Sequence, residues 1–167
     1  MKLIISGLPC CGKTHFGDWL RDEHGFTHAN LEPRLDNGLC VIPPTILDDL
    51  PRWIGSLGEK IVVTWGFLPS RSSFEIMQRF EAIGFVPWWF DADAAVARWR
   101  FIGRDGIERA TTHFDPQIAS ITKARERIGN FYGERRIKTL SQSGYAPLNE
   151  IYDAIARPAL VPQVAMA

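Results

Sequence analysis

Eight residues near the start of the chain have the types and the spacing that bind a polyphosphate. Gly7 and Gly12 enclose four residues, and Lys13 and Thr14 follow, which gives the pattern Gly-x-x-x-x-Gly-Lys-Thr. Glycine at both ends lets the backbone curl until successive N–H groups point inward at an anion. Lys13 adds a point charge for the β- and γ-phosphates, and the Thr14 hydroxyl is placed to ligate Mg²⁺. The pattern therefore predicts a phosphate-binding loop for ATP or GTP.

The four residues inside this loop need only their backbone, because main-chain N–H groups bind the anion. A nucleophilic thiol at Cys11 is a weaker alternative, which its position close to the loop lysine suggests. The backbone role accounts for that position without it. We expect the whole segment to contact the nucleotide: Gly7, Leu8, Pro9, Cys10, Cys11, Gly12, Lys13 and Thr14.

An apolar stretch and a helical pattern flank the loop and would position it. Residues 1–6 are mostly apolar and predict a short buried strand. After the loop, Trp19 and Leu20 follow Phe16 at spacings of three and four, which places all three on one face of a helix. A strand that enters the loop and a helix that leaves it aim the positive end of that helix at the bound phosphate.

The rest of the chain alternates apolar strands with amphipathic helices. This alternation is typical of βαβ units, so we predict an α/β fold in which helices cover both faces of a parallel sheet, a three-layer α/β/α arrangement. Further strands are predicted at residues 26–31, 61–65, 85–90 and 136–140, and late helices at about 116–128 and at 148–156.

Local capping signals predict where two other helices begin. Ser72 with Glu75 three residues later has the pattern of a capping box, in which each side chain bonds the other residue's backbone N–H. Asp91 or Asp93 is expected to cap the following helix, because a carboxylate oxygen accepts the free N–H groups of a first helical turn.

Composition and charge limit the function classes. The 167 residues fit one domain, residues 1–157, followed by a short tail, residues 158–167. Nineteen basic and nineteen acidic residues leave no net charge, which argues against a long nucleic-acid groove or a membrane-surface protein. No stretch is long enough to span a bilayer, and the first apolar run is too short for a signal peptide. Cys10, Cys11 and Cys40 cannot form a disulfide framework, so we expect reduced thiols in a cytoplasmic protein.

Three stretches together resemble the P-loop kinases of nucleotides and small metabolites, which include adenylate, shikimate and gluconate kinases. They are the loop at residues 7–14, the turn Gly66-Phe67-Leu68-Pro69-Ser70-Arg71 and the stretch Arg100-Phe101-Ile102-Gly103-Arg104. The turn is similar to the Asp-Gly-Phe-Pro-Arg turn of adenylate kinases, and the last stretch to the Arg-Ile-Val-Gly-Arg that leads into their lid. The order of parts is similar to about residue 156.

The resemblance implies a five-stranded parallel sheet in the order 2-3-1-4-5 and transfer of the γ-phosphoryl group of ATP, with Mg²⁺, to a small-molecule acceptor. It also implies a lid over the phosphates at about residues 103–114, and we expect its polar part, residues 103–112, to be mobile. Residues 141–147 would wrap the adenine with backbone groups. The protein would act as a monomer or a homodimer.

Two arginines at the start of this lid are the expected catalytic cations beside Lys13. Arg100 and Arg104 are one helical turn apart, so both project from one face of a helix. Through the resemblance we expect them to clamp the transferring phosphoryl group, with Arg100 also binding ATP. The alternative is a pair of solvated arginines on a surface helix.

The acceptor side departs from the family pattern. The acid that ends the third strand of adenylate kinases is Trp65 here, so a carboxylate near Mg²⁺ is missing. Glu32 becomes the candidate that holds a magnesium-bound water or accepts the proton of the attacking hydroxyl, unless it is a surface carboxylate paired with Arg34. No Asp-x-x-Arg motif for a nucleotide acceptor follows the second strand, so a nucleoside, a nucleotide and a hydroxyl-bearing metabolite are all admitted. The expected substrate-binding residues are Glu32, Arg34, Trp65, Phe67 and Arg71.

Two other functions stay open at this point. Trp65 in place of the acid also fits a nucleotide-binding regulatory module that transfers nothing. A short basic groove near Arg34, Arg52 and Arg71 would fit a kinase of polynucleotide ends, although the absence of net charge makes a nucleic-acid partner the less favoured one.

Overall fold

The computed structural model describes residues 1–31 and 44–156 of the chain. These residues form a sheet with the strand order β2-β3-β1-β4-β5-β6. All neighbouring strands pair in parallel except β5 and β6, which form an antiparallel hairpin. The strands are β1 (Lys2–Gly7), β2 (Thr27–Asn30), β3 (Ile61–Thr64), β4 (Val86–Ala92), β5 (Arg136–Ser141) and β6 (Gly144–Tyr145).

Helices complete the three-layer α/β/α fold that the alternating pattern predicted. None of the helices in the described part of the chain is both long enough and apolar enough to cross a membrane. The helices are α1 (Lys13–His24), α2 (Pro44–Asp48), α3 (Leu50–Gly55), α4 (Arg71–Ala82), α5 (Ala94–Asp105), α6 (Ile107–Arg109), a π-helical turn (Ala110–Phe114), α7 (Asp115–Lys123), α8 (Arg125–Tyr132) and α9 (Leu148–Ala156).

The strand order 2-3-1-4-5 is confirmed, and the sheet has one strand more than expected. The additional strand is β6, in which Tyr145 pairs with Leu140 and Gly144 with Ser141. A strand of two residues is too short to leave an alternating pattern, so the sequence could not predict it. This short hairpin nevertheless matters, because it brings Tyr145 back beside the carboxyl ends of the strands.

The predicted capping box at the start of α4 is wrong. Ser70, not Ser72, is the N-cap, and its Oγ accepts the N–H of Ser73 at 3.1 Å. Glu75 pairs with Arg71 instead of reaching back to a backbone N–H. Ser70 takes the role because its backbone is extended, as an N-cap requires, while the helix already begins at the next residue.

The stretch at residues 103–112, predicted as a mobile polar segment of the lid, is mostly helical. Gly106, with φ +88°, interrupts the helices between α5 and α6, and the chain then continues into the π-helical turn. Phe101 and Phe114 pack with ring centres 5.3 Å apart, and Ala110 is buried beside them. Three apolar residues spread over fourteen positions are enough to hold these turns against β5, although the polar residues dominate the sequence there.

Asp93 provides the cap of α5. Its Oδ1 accepts the N–H groups of Ala95 at 3.0 Å and of Val96 at 3.4 Å, which settles the choice that the sequence left between two aspartates. The final helix α9 begins and ends where the sequence predicted, at Leu148 and Ala156.

An aromatic cluster fills the core beneath the turn from β3 to α4. Phe67 lies at its centre, within 6.4 Å between ring centres of four other aromatic side chains, and is fully buried. Edge-to-face contacts of this kind stabilise a core beyond the area they bury. The cluster fixes β3, β4 and α4 relative to one another and so supports the end of β1, where the phosphate loop begins. The four partners are Trp65, Phe74, Trp89 and Tyr132.

Candidate functional site

The phosphate loop joins β1 to α1, and its backbone requires glycine at both ends. Gly7 has φ +147° and Gly12 has φ +90°. A Cβ on Gly7 would lie 2.0 Å from the carbonyl oxygen of Phe90, because β4 runs directly against this point of the chain. Cys10, between the two glycines, has φ +60°. Left-handed residues of this kind curl a backbone so that its N–H groups form a concave nest for an anion.

The N-terminus of α1 opens into this loop without a side-chain cap. Gly12 occupies the N-cap position, and the first turn contains no acidic residue. The N–H groups of that turn therefore face the loop, where they and the helix dipole favour an anion. Lys13 is only 6% exposed, and its Nζ donates to the carbonyl oxygen of Leu8 at 2.9 Å. This bond keeps the ammonium group inside the curve of the loop, and Thr14 lies half-buried in the same turn.

Two hydroxyl groups from the distant end of the chain hold the loop in place. The buried Oγ1 of Thr139 donates to the carbonyl oxygen of Cys11 at 2.7 Å and lies 3.2 Å from that of Asp91. The hydroxyl of Tyr145 donates to the carbonyl oxygen of Cys10 at 2.8 Å. Partial burial raises the pKa of the Tyr145 hydroxyl, so the group remains a donor at neutral pH.

The structure brings Arg100 to the loop, whereas Arg104 turns along its own helix. The guanidinium of Arg100 lies 4.5 Å from the ring centre of Tyr145, the residue that bonds the loop. Arg104 donates from Nε to Asp105 at 2.8 Å and stacks over Phe101 at 5.2 Å. The first arginine therefore lies beside a residue that bonds the loop, whereas the second interacts with residues of its own helix.

An open depression of about 820 Å³ runs along the same face of α5. Trp99 is 80% exposed within it and lies on α5 beside the two arginines. An exposed indole next to guanidinium groups can stack a flat ring that carries negative charge. The depression is lined by Ala95, Val96, Trp99, Arg100, Gly103 and Arg104.

The expected acceptor contacts after β3 are placed differently from the prediction. Trp65 and Phe67 are 3% and 0% exposed, with ring centres 5.5 Å apart, and both belong to the core. The structure therefore does not support a role for these rings in binding an acceptor. They are buried because the turn after β3 offers them aromatic partners on the inner side. Arg71 is exposed at the start of α4, where its Nε donates to Glu75 at 2.9 Å.

Glu32 and Arg34 lie outside the described residues, as do Cys40 and the tail at residues 158–167, so their roles stay predictions. The described chain stops close to the expected place. The N–H of Leu31 donates to the carbonyl oxygen of Thr64 at 2.8 Å, which continues the pairing of β2 with β3. The described segment therefore ends at the carboxyl end of these strands, the edge of an open parallel sheet at which ligands bind.

A buried polar chain joins α1 to the strands beneath the loop. His28 is held between Asp18, whose Oδ1 is 3.0 Å from its Nδ1, and Thr64, whose Oγ1 is 2.9 Å from its Nε2. The imidazole occupies the space above Gly17, where a Cβ would lie 2.4 Å from Nε2. These hydrogen bonds through His28 thus fix the depth at which α1, and with it Lys13, packs on the sheet.

The sequence patterns did not indicate the roles of Thr139, Tyr145 and His28. A signal existed for the first two: both follow or end the fifth strand, and the carboxyl ends of parallel strands meet beside the phosphate loop. For His28 the signal was weaker, namely a histidine on a short strand with a small residue, Gly17, on the helix that must cover it. Only the packing of the helix on the strand turns these residues into neighbours.

The site also suits the metal ion that a nucleotide would bring. Among the described residues no three His, Cys, Asp or Glu side chains come together as a metal site. Mg²⁺ does not need such a cage, because it keeps several waters and binds through one or two protein oxygens together with substrate phosphates. The Thr14 hydroxyl, in the first turn of α1, offers one such oxygen.

Solved structures of other proteins identify the fold to which this geometry belongs. No protein-family model and no curated protein matches the sequence. Solved structures match it over nearly the whole chain. A gluconokinase from Sinorhizobium meliloti 1021 matches with a TM-score of 0.54 and 19% identity, covering 95% of this chain and 91% of that one. The chain has the P-loop kinase fold.

Two further structures support this fold. The YorR protein from Bacillus subtilis, solved in complex with phosphorylated GDP, has a TM-score of 0.59 at 14% identity, with 95% of each chain covered. A shikimate kinase from Acinetobacter baumannii, solved with shikimate, has a TM-score of 0.57 at 13% identity, with 96% of each chain covered. At such low identity the P-loop kinase fold is what these proteins share with this chain.

Proposed function

We propose that this protein is an ATP-dependent phosphotransferase that moves the γ-phosphoryl group to a small acceptor carrying a hydroxyl group. One observation carries the proposal: the curled loop at residues 7–14 aims the uncapped start of α1 and the buried ammonium of Lys13 at a single point. Backbone N–H groups, a helix dipole and a lysine converging on one point favour a polyphosphate over any neutral ligand.

In this scheme the acceptor oxygen attacks the γ-phosphorus, the bond from that phosphorus to the bridging oxygen breaks, and ADP leaves with the electron pair. A phosphate oxygen would replace the Leu8 carbonyl as the partner of Lys13. Arg100 would move from the ring of Tyr145 to the transferring group, and Arg104 would follow by rotation. Catalysis by this chain would consist of positioning and charge neutralisation, as is usual for phosphoryl transfer.

Mg²⁺ bound with the nucleotide would supply charge neutralisation between the β- and γ-phosphates. Thr14 would contribute its hydroxyl oxygen to that ion. Glu32 is the proposed acceptor of the proton that the attacking hydroxyl loses, and Arg34 and Arg71 are proposed to bind the acceptor. GTP is the alternative donor, since the loop contacts only phosphates.

The test is a phosphorylation screen with labelled ATP over nucleosides, nucleotides, sugar acids, antibiotics and oligonucleotide 5′ ends. We expect label to pass to one class of acceptor. Lys13→Ala should lower that turnover by about 10²–10³-fold, because the variant lacks the ammonium group that would neutralise charge on the transferring phosphate. Lys60→Ala is the matched control, since Lys60 precedes β3 at the opposite end of the sheet and bonds the carbonyl oxygen of His24. Turnover in the Lys13 variant equal to that of wild type would exclude the proposed mechanism.

The second candidate is a nucleotide-binding regulatory module without phosphoryl transfer. The burial of Trp65, at the position where adenylate kinases have an acid, favours it, because this side chain can neither bind a metal-bound water nor accept a proton. Tight binding of Mg·ATP without transfer to any member of the panel would support this function over the first.

A kinase of polynucleotide ends is the third candidate, and exposed Trp99 beside Arg100 is the observation in its favour. Single-stranded nucleic acids bind to aromatic side chains that stack bases and to cations that follow the backbone. This function predicts that an oligonucleotide is phosphorylated in the screen and that Trp99→Ala weakens its binding. The phosphorylation of a mononucleoside alone would exclude it.

A further inference from the structure

A second concave site lies beside the phosphate loop, between the ends of β4 and β5 and the junction of α7 with α8. Its volume is about 320 Å³, at the lower end of the range of about 300–1,000 Å³ that small-ligand pockets show. Three cationic side chains, Arg125, Arg136 and Lys138, and one carboxylate, Asp91, line it together with an apolar floor that includes Leu8 and Trp89. We call this site the basic cleft.

The geometry of the strands puts the charged groups of the basic cleft on one side of the sheet. Arg136 and Lys138 are two residues apart on β5, so their side chains project from the same face. Lys138 stands opposite Asp91 in the parallel register of β4 and β5. Arg125 approaches from the first residue of α8, across the cleft. Charges from two strands and one helix therefore converge on a single volume.

The cations of the basic cleft are not matched by carboxylates. None of Arg125, Arg136 and Lys138 takes part in an ion pair within the described residues, although Asp91 lies opposite Lys138. Arginines elsewhere, such as Arg98, do pair with a carboxylate. The three cations and one carboxylate leave a net charge of +2 in a cleft with apolar walls, and such clefts concentrate the field on an incoming anion.

One of the cations is already oriented. The Nε of Arg136 donates to the carbonyl oxygen of Gly133 at 3.0 Å, which anchors the guanidinium and leaves its two terminal nitrogens for a ligand. An anchored planar guanidinium loses less conformational entropy when it binds an oxyanion than a freely rotating side chain does. The apolar floor adds a second requirement, since Leu8 and Trp89 are 5% and 3% exposed and would contact the body of the ligand.

We propose that the basic cleft is a binding site, separate from the phosphate loop, for a small phosphate monoester with an apolar body. A phosphate monoester carries a charge of about −1.5 to −2 at pH 7, which balances the net charge of the cleft, whereas a monocarboxylate does not. Phosphorylated metabolites are also the class of product that the proposed function makes. The binding claim itself rests on the cleft and not on phosphoryl transfer.

A ligand in the basic cleft would affect the phosphate loop through Leu8 and Asp91. Leu8 lines the cleft with its side chain and accepts the Lys13 ammonium with its carbonyl oxygen. Asp91 lines the cleft, and its carbonyl oxygen lies 3.2 Å from the Thr139 hydroxyl that holds Cys11. Because coupling between two sites is reciprocal, any factor by which a nucleotide in the loop changes the affinity for a monoester equals the factor by which the monoester changes the affinity for the nucleotide.

The test is calorimetric titration of the whole chain with phenyl phosphate, which joins a monoester to an apolar ring, and with benzoate. We expect phenyl phosphate to bind at least about tenfold more tightly than benzoate. Arg125→Gln, Arg136→Gln and Lys138→Gln should each weaken binding by about tenfold, as expected for the loss of one charge-assisted contact. Asp91→Asn should strengthen it, because this change removes the one negative charge. A residue that served only to stabilise the fold would not give this opposite sign.

Two controls separate the basic cleft from the phosphate loop. Arg127→Gln changes the other arginine at the start of α8, whose guanidinium lies 4.1 Å from the ring of Phe74, and should leave binding unchanged. Lys13→Ala should also leave phenyl phosphate binding unchanged while it lowers phosphoryl transfer by about 10²–10³-fold, so the two proposals fail independently. No binding of phenyl phosphate, binding as tight for benzoate, or binding that only Lys13→Ala removes would each overturn the proposal. Melting curves confirm that every variant is folded.

Discussion

On the side of β4 the phosphate loop meets main chain, whereas on the side of β5 and β6 it meets side chains. Gly7 lies against the backbone of Phe90, and the N–H of Leu8 donates to the Phe90 carbonyl oxygen at 3.2 Å. On the opposite side, the hydroxyls of Thr139 and Tyr145 reach two carbonyl oxygens of the loop. A main-chain contact depends on the identity of Gly7 alone, while a side-chain contact can be changed by a single substitution elsewhere.

The comparison teaches where the loop tolerates variation. The main-chain side has no space for even one carbon atom, so a change there must move a strand. The side-chain side is polar, with Thr139 buried and Tyr145 exposed, and a lost hydroxyl there removes a bond without displacing the backbone. We therefore expect substitutions on the first side to destabilise the fold most, and substitutions on the second side to cost less stability and to weaken nucleotide binding.

The largest effect is expected for Gly7→Ala. The new Cβ would meet the Phe90 carbonyl oxygen at 2.0 Å, and the residue has φ +147°, so both the contact and the backbone are strained. We expect the free energy of unfolding to fall by more than about 3 kcal/mol, measured by urea denaturation. Gly58→Ala is the control, because Gly58 has φ +93° but no atom within 4 Å of its Cβ, and should cost about 1–2 kcal/mol. Equal losses in the two variants would remove the distinction between the two sides.

Thr139→Val should have the next largest effect. Valine keeps the shape of the buried side chain but removes the donor to the Cys11 carbonyl oxygen, and Asp91 offers no replacement. We expect a loss of about 1–3 kcal/mol in the free energy of unfolding, the usual cost of leaving a buried acceptor without its partner, together with weaker nucleotide binding. Thr111→Val is the control, since its hydroxyl bonds Ile107 on an exposed helical turn. If both variants are as stable as wild type, Thr139 does not hold the loop.

Tyr145→Phe tests the more exposed of the two hydroxyl contacts to the loop. The change removes the bond to the Cys10 carbonyl oxygen at 2.8 Å and keeps the ring under Arg100. We expect the dissociation constant for ATP to rise about 2–10-fold, because one hydrogen bond contributes about 0.5–1.5 kcal/mol, and the free energy of unfolding to change little. Tyr152→Phe on α9 is the control. A large loss of stability without a change in affinity would place Tyr145 with the main-chain side of the loop.

The sequence identified the loop because the residues that define its pattern lie within one stretch of eight. It did not predict Thr139 and Tyr145, which are 128 and 135 residues away from the carbonyl groups they hold. Their positions depend on the register of β5 and on a two-residue strand, β6, that no pattern reveals. Local signals also failed at α4, where Ser70 and Ser72 both have the chemistry of an N-cap and only the path of the backbone decides between them.

On the acceptor side, too, the local sequence did not predict which contacts a residue makes. Residues after a third strand lie near ligands in this fold, so Trp65 and Phe67 were predicted to contact an acceptor. The aromatic side chains of β4, α4 and α8 instead provide a core large enough to bury both rings. An apolar ring follows the largest apolar environment available. The composition of distant elements, rather than the position in the motif, therefore decides where such a residue lies.

The smallest expected effect is a pH dependence of the free energy of unfolding, which arises from an ion pair on α5. Arg98 joins α5, the helix that carries Arg100, to α7 by two bonds to Asp115, at 2.8 and 3.0 Å. The Arg98 guanidinium holds the pKa of the Asp115 carboxyl below its ordinary value. A carboxyl whose folded pKa is depressed contributes stability above its unfolded pKa of about 3.9, and the contribution is lost as the pH falls through the folded value.

Urea denaturation of wild type and Asp115→Asn at pH 6 and at pH 3 measures this contribution. The wild type should be the more stable at pH 6, and the gap should narrow at pH 3, because acid protonates the carboxyl that the variant already lacks. The gap stays small at both pH values since each side chain is more than one-third exposed and water screens the pair. Asp153→Asn, an exposed aspartate of α9 outside the ion pairs of the described residues, is the control for removing a charge. A gap that does not narrow in acid would mean that the charge of Asp115 does not contribute, and α5 would then be held against α7 by packing and not by this ion pair.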